Sequence, residues 1–325
     1  MIKIIIGANY GDEGKGRTVA HFSNENTINI LTNGGAQRGH TADGHIFHHF
    51  GSGTKRGAIS YFFESFLIDP IIFLKEYKEL GYTSICYRDP NCRWVTPYDV
   101  ITNQLLERSR KEKHGSCGMG IWQTVKRYND MFKGLGYLMN IDKFNNMYHN
   151  EKVDFLITIR KYCHYILTRE GIEVPYYFHS NIMIDNFIED MKWFGRLVKT
   201  RDLREFKNTD WIFENGQGLL LNSDPNNVHT TPSQTGCKRV VEYLKDLGKK
   251  DIEVIYVTRP YLTRHGNGPF NECSREELGV NIDKTNVYNE FQGNIRYGKL
   301  NINELIERIN NDFSNAKGCK KSLSI

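Results

Sequence analysis

The chain has 325 residues, a hydrophobic fraction of 39%, a charged fraction of 25% and a net charge of +5. This is the composition of a globular protein with room for one large domain or two small ones. The lysines are spread along the chain, which excludes the basic tail of a nucleic-acid binder. The N-terminal apolar run falls far short of the ~20 residues that span a bilayer, and no signal peptide is visible, so no membrane partner is expected.

In chain order, KIIIG (3–7) reads as a buried strand and INILTN (28–33) as a second. Residues 70–80 begin with Pro and stop before Gly81, a helix with its usual punctuation. TSICY (83–87) reads as a third strand, and 97–112 and 120–130 as helices. Longer helical stretches follow at 142–170 and 180–198. DWIFENGQG (210–218) is a strand entering a glycine turn, and DIEVIYVTR (251–259) is another strand. This alternation predicts an α/β fold with a mainly parallel sheet. The glycine turns at 7–16, 34–44 and 215–218 each follow a strand, so they converge on the edge where such sheets bind ligands. The cysteines Cys86, Cys92, Cys117, Cys163, Cys237, Cys273 and Cys319 are odd in number and lack a C-x-x-C pair, which points to a reduced cytoplasm.

The first of those turns, NYGDEGKGRTV (9–19), has the look of a phosphate cradle: glycines for close approach, Lys15 for charge, and a helix start. It departs from the common P-loop, because Gly16 stands where a magnesium-binding hydroxyl belongs and Asp12 and Glu13 lie inside the turn. A magnesium ion held by an acid would reconcile these carboxylates with phosphate. An ordinary strand–turn–helix corner with solvated charges is the plain alternative. In TNGGAQRGHTADG (32–44), His40 is placed to donate to a developing oxyanion, or else bonds a turn carbonyl. His48 and His49, if on a strand, face opposite ways and cannot share a site. In KHGSCGMGIWQTVKR (113–127), Ser116 and Cys117 precede a helix in a second anion nest. No base is identifiable that would make Cys117 a nucleophile. Gln217, between glycines, has the donor and acceptor suited to a base edge, or caps its turn. YLTRHGNGPF (261–270) is a glycine corner or a surface loop, and Arg296 clamps a carboxylate or lies on the surface.

Taken in order, these units resemble adenylosuccinate synthetases. The family's GDEGKG is present as Gly11-Asp12-Glu13-Gly14-Lys15-Gly16, and its GHT as Gly39-His40-Thr41. Its third loop is similar to Ser116-Cys117-Gly118-Met119-Gly120, its Gly-x-Gln-Gly turn to Asn215-Gly216-Gln217-Gly218, and its Thr-Arg-x-Gly-x-Gly-Pro-Phe corner to Thr263–Phe270. The resemblance covers roughly residues 1–300. It implies an α/β, P-loop-like nucleotide-binding domain with a mainly parallel central sheet and helical insertions. The whole of 1–325 is then one domain, with a mainly helical insertion at about 120–200.

The resemblance also implies a reaction. L-Aspartate is joined to C6 of a purine monophosphate, IMP first, through a 6-phosphoryl intermediate driven by GTP or ATP. Asp12 takes the N1 proton, and His40 assists attack of the 6-oxygen on the γ-phosphate. Asp12 and the backbone of Gly39 hold magnesium. Gly11, Glu13, Gly14, Lys15, Gly16, Gly39 and Thr41 cradle the phosphate donor. Asp12, Gln37, Ser116, Cys117, Gln217 and Thr235 hold the monophosphate, and Arg296 the aspartate. A cytoplasmic homodimer is implied, with an arginine of the partner completing the site.

The chain departs from the family at several points. Met119 replaces a common arginine, and only Arg127 or Lys133 stands near the place of the partner-donated arginine. The aspartate loop has Arg296 as its single arginine. The family's Thr-Lys-x-Asp guanine reader is missing, so GTP and ATP are expected to serve within roughly a hundredfold of each other. Viral relatives that act on dGMP offer an alternative reading, in which the location is the host cytoplasm. A non-catalytic nucleotide-binding protein on the same scaffold is a third.

Overall fold

In the computed structural model, which describes residues 1–132, 139–281 and 288–325, the chain opens with β1 (Ile2–Gly7), α1 (Lys15–Phe22) and β2 (Thr27–Leu31). Two short hairpin strands follow, β3 (His40–Ala42) and β4 (His45–Phe47), then β5 (Ile59–Phe62), β6 (Leu67–Ile68), α2 (Pro70–Glu79), β7 (Cys86–Arg88) and β8 (Arg93–Trp94). A helical block comes next: α3 (Pro97–Ser109), α4 (Ile121–Phe132), α5 (Ile141–Asn146), α6 (His149–Arg169) and α7 (Asn181–Leu197). The chain returns through β9 (Val198–Thr200), β10 (Asp210–Gly218), α8 (Lys238–Asp246), β11 (Ile252–Val257) and β12 (Tyr261–Arg264). It ends with α9 (Arg275–Leu278), β13 (Arg296–Lys299), α10 (Ile302–Phe313) and β14 (Lys320–Ser324).

The central sheet has the order β14-β11-β1-β10-β2-β5-β7-β9, and every neighbouring pair is parallel. β1 is a continuous apolar run, as expected of a strand covered on both faces. Its side chains alternate between two cores. Ile4 and Ile6 pack with Phe213, Val254, Val241 of α8 and Ile309 of α10, while Ile5 packs with Ile212, Ile255 and Val19 of α1. The helical block has its own core on the other flank, where Phe73 of α2 meets Phe194 of α7 at 4.9 Å in an edge-to-face pair.

β10 lies between β1 and β2, so their C-terminal turns are neighbours at one edge of the sheet. The glycine turns at 7–16 and 34–44 converge there, as the alternation of elements predicts, and the glycines at 215–218 join them as the end of β10, which stays in the sheet to Gly218.

Several local expectations shift. The stretch 142–170 is two helices, broken at Met147–Tyr148, where Glu151 accepts from the Tyr148 N–H at 2.7 Å and starts α6. The strand expected at 83–87 sits at Cys86–Arg88, and that at 28–33 ends at Leu31, because Asn33 turns to bond Gly216. The helices expected at 97–112 and 120–130 are present as α3 and α4. His48 and His49 follow β4 instead of lying on a strand, and their amides both donate to the buried Glu76 carboxylate.

Arg127 is fully buried and donates to Asp99 at 2.8 and 2.9 Å and to the Trp94 carbonyl at 2.9 Å. It ties α4 to α3, and a guanidinium spent inside its own core cannot reach a partner subunit. Lys133 lies outside the described residues.

Candidate active site

A cavity of about 1280 Å³ opens at the C-terminal edge of the sheet. Its wall includes residues 10–18 after β1, residues 37–41 after β2, Gly115–Cys117 and Gly216–Gln217. Asp12, Glu13, Lys15, Gln37, Gly39, His40, Thr41, Ser116, Cys117 and Gln217 are therefore brought together, with Gly11, Gly14 and Gly16. Thr235 and Arg296 are outside this lining. Thr235 is buried, and its carbonyl accepts from the Asn215 amide. Arg296 donates to the carbonyls of Gly266 at 2.5 Å and Gly268 at 3.1 Å, and to Glu272, which fixes the corner between β12 and β13.

The two acids of the first turn have different tasks. Glu13 is buried and closes the turn from within. Its carboxylate accepts from the amides of Asn9 at 3.0 Å and Gly11 at 2.8 Å and pairs with Lys15 at 2.8 Å. Those contacts satisfy the donors of a tight loop and neutralise the charge that would repel phosphate. Asp12 stands clear of that knot. Its backbone is left-handed, with φ 60°, which an aspartate tolerates better than most residues, and its side chain meets His265 Nε2 at 2.8 Å. Burial works to raise the Asp12 carboxyl, but His265, Lys15 and Arg259 together hold it below the usual aspartate value, so it is a carboxylate at neutral pH.

The residue that stands in place of the P-loop hydroxyl also has a physical reason. A Cβ on Gly16 would lie 3.0 Å from the His40 Cβ and 3.1 Å from Ser52 Oγ. Glycine lets α1 press against β3 and so fixes where His40 stands.

His40 is buried, and its Nδ1 lies 2.6 Å from Glu214 Oε1. Glu214 also takes Arg38 Nη2 at 2.6 Å, the Ser52 amide at 3.0 Å and the Ser52 hydroxyl. Burial alone would raise the Glu214 carboxyl. Arg38, His40 and Ser52 outweigh it and hold the group at about 2. An ionised carboxylate only accepts, so Nδ1 carries a proton toward Glu214 and Nε2 is the nitrogen left for the cavity. Burial first, then the Arg38 charge, bring His40 down to about 4 against the opposing pull of Glu214. The protein alone therefore keeps this ring neutral.

Buried polar atoms without partners mark the places where a ligand would bond. Around the cavity these include both amide atoms of Gln37, His40 Nε2, Gln217 Oε1 and Thr231 Oγ1. Ser116 exchanges hydrogen bonds with Asn103 at 2.9 and 3.0 Å, and buried Glu107 accepts from Gly115 N–H at 2.7 Å, so α3 holds the third loop. Burial pushes the Cys117 thiol up to about 11, so it is protonated and inert as a nucleophile at neutral pH. All seven cysteines are free.

Asp12 and Gly39 line the same cavity as the phosphate turn, and a carboxylate with a backbone carbonyl is an oxygen-only set that fits magnesium. Among the described residues no cluster of three or more His, Cys, Asp or Glu side chains offers a metal cage. One carboxylate plus phosphate oxygens is the pattern such an ion takes.

Sequence reasoning missed Glu214, Arg38, Ser52 and His265. The first stands beside Gln217 in FENGQG, and the last lies in the Thr263–Phe270 corner, but nothing local marks either as a partner of His40 or Asp12.

This fold and site define a parallel-sheet α/β protein with an acid-bearing, glycine-rich anion turn at its ligand edge. The family model described as adenylosuccinate synthetase matches residues 4–294, and the chain belongs to that family. The adenylosuccinate synthetase of Pelodictyon phaeoclathratiforme is 29% identical over 301 residues, which cover 86% of this chain and 66% of that one. That of Pseudomonas fluorescens is 27% identical over 305 residues, 86% of this chain and 67% of the relative. The chain thus spans about two thirds of the length of the curated relatives it matches. Among solved structures, the fully ligated adenylosuccinate synthetase from Plasmodium falciparum superposes with a TM-score of 0.66 at 21% identity, over 94% of this chain and 73% of that one. The succinoaminodeoxyadenylate synthetase of cyanophage S-2L, bound to dGMP and to dATP as energy donor, gives 0.62 at 14% identity, over 97% and 81%. These two likenesses show the fold. No helix among the described residues is long and apolar enough to cross a membrane.

Proposed function

We propose that this protein joins L-aspartate to C6 of a purine nucleoside monophosphate, with GTP or ATP as phosphate donor. The observation that carries the reading is the meeting of an ionised Asp12 and a His40 whose buried Nε2 has no partner among the described residues, in one cavity with the Lys15 turn.

The chemistry follows from those positions. A purine 6-oxygen is a poor nucleophile while N1 holds its proton, so a base must stand beside the phosphates. Asp12 accepts that proton. The 6-oxygen attacks the γ-phosphorus and the bond to the nucleoside diphosphate breaks. Lys15 and the amides of the turn stabilise the charge on the transferring group. Negative charge beside His40 Nε2 favours the protonated ring, so His40 becomes a donor to the oxygens as the complex forms. Gln37, Ser116 and Gln217, which line the cavity, hold the monophosphate. The aspartate amine then attacks C6, and phosphate leaves with the former 6-oxygen. Magnesium, when bound by Asp12 and Gly39, neutralises polyphosphate charge.

IMP is the first substrate on this reading, because Asp12 is present as the N1 base. The second is dGMP, the nucleotide held by the phage neighbour. The test is a matrix of IMP, GMP and dGMP against GTP and ATP, with aspartate, following phosphate release and the purine product. Product from IMP with either donor is expected. Product from dGMP alone moves the substrate to the second reading. Tight monophosphate binding with no product from any pair removes the ligase and leaves a nucleotide-binding protein.

A further inference from the structure

The segment ending β12 lies directly against the first turn, residue by residue. Thr263 Oγ1 donates to the Gly11 carbonyl at 2.9 Å. The Arg264 guanidinium lies 4.5 Å from the centre of the Tyr10 ring and is tied down by the carbonyls of Pro269 at 2.8 Å and His229 at 3.3 Å. His265 Nε2 meets Asp12 Oδ2 at 2.8 Å. Three consecutive residues therefore grip Tyr10, Gly11 and Asp12, about 250 residues away in sequence. The grip meets the turn at Gly11, whose amide Glu13 already holds, and continues to Asp12, a residue with left-handed backbone, φ 60°, that makes no bond to Glu13.

We propose that His265 is a positioning residue for the reaction. Its Nε2–H donates to one oxygen of Asp12 and so leaves the other oxygen aimed at the purine. This rests on the reading of Asp12 as the N1 base. An ionised carboxylate has two equivalent oxygens and, on a strained turn, several rotamers. A single donor on one oxygen selects the rotamer, in the way that partners of ligating carboxylates and histidines set their geometry elsewhere. Thr263 and Arg264 fix the backbone on which that donor stands.

The test is a cycle on the full chain with magnesium present. His265→Leu removes the donor, and His265→Gln keeps an N–H at similar reach. His265→Leu is expected to lower kcat by ~10- to 100-fold, the usual cost of losing an orienting partner, with monophosphate affinity within about twofold. His265→Gln should recover most of that loss. In an Asp12→Asn background His265→Leu should change turnover by less than about twofold, since its effect passes through Asp12. The nitrogen-15 resonance of His265 Nε2 should move on Asp12→Asn substitution, whether or not the protein turns over. Near-normal kcat in His265→Leu, equal losses in the Leu and Gln variants, or full additivity with Asp12→Asn would overturn the proposal. Wild-type protein inactive across the substrate matrix would instead count against the ligase reading. The contact would then stand or fall on the nitrogen resonance, an unmoved signal overturning it.

Discussion

Asp12→Asn should leave the fold and the monophosphate affinity in place and lower kcat by at least ~10²-fold, the scale on which a positioned base contributes. The amide fills the same volume and still offers an oxygen to His265, so the turn held by Glu13 and Thr263 has no reason to rearrange. What it loses is the capacity to take a proton. Without that transfer the 6-oxygen keeps its carbonyl character, and binding of both nucleotides gains nothing at the reacting centre. Calorimetric titration with the monophosphate beside steady-state turnover separates the two quantities. A variant that binds normally and turns over at nearly the wild-type rate would show that some other group is the base.

Glu214→Ala should be the most damaging single change to stability around the cavity. Glu214 is buried and accepts from Arg38, His40 and both donors of Ser52. Its removal leaves the fully buried Arg38 guanidinium without its ion-pair partner, and losing one partner of such a pair costs about 3–5 kcal/mol. That is a large share of the ~5–15 kcal/mol that holds a native protein together. Urea unfolding should show the midpoint fall accordingly. Arg38→Met together with Glu214→Leu should regain part of the loss, because the uncompensated charge is gone. Both forms should lose turnover, since Nδ1 of His40 no longer has the acceptor that sets its tautomer. A Glu214→Ala protein as stable as wild type would mean that Arg38 finds another partner.

The frame of the molecule was readable because its signals are local. The run at 3–7 and the Pro70 helix start depend on near neighbours in sequence, and each lies where the sequence places it, whereas the glycines expected to turn at 215–218 are the last residues of β10. GDEGKG and GHT carried the site for the same reason. The supporting shell was not readable. His40 and Glu214 are 174 positions apart, and Asp12 and His265 are 253 apart. Each pair exists because β10 is inserted beside β1 or because β12 folds back on the first turn, and neither leaves a pattern in the residues alone. The two roles of GDEGKG's acids were hidden in the same way. Asp12 and Glu13 are adjacent, yet the left-handed backbone at Asp12 sends one carboxylate inward and the other to the cavity. Arg127, one of two basic residues near the place of the family's partner-donated arginine, is kept inside by its Asp99 and Trp94 partners, another long-range packing fact that the sequence does not display.

The central claim is that the purine 6-oxygen is phosphorylated and then expelled, and isotope transfer tests it most directly. IMP carrying oxygen-18 at C6 is incubated with the protein, magnesium, aspartate and GTP or ATP, and the inorganic phosphate is analysed by mass. Attack of that oxygen on the γ-phosphorus predicts one oxygen-18 atom in each phosphate released per product formed. Product accompanied by unlabelled phosphate would contradict it, because the bond between the purine oxygen and phosphorus would never have formed.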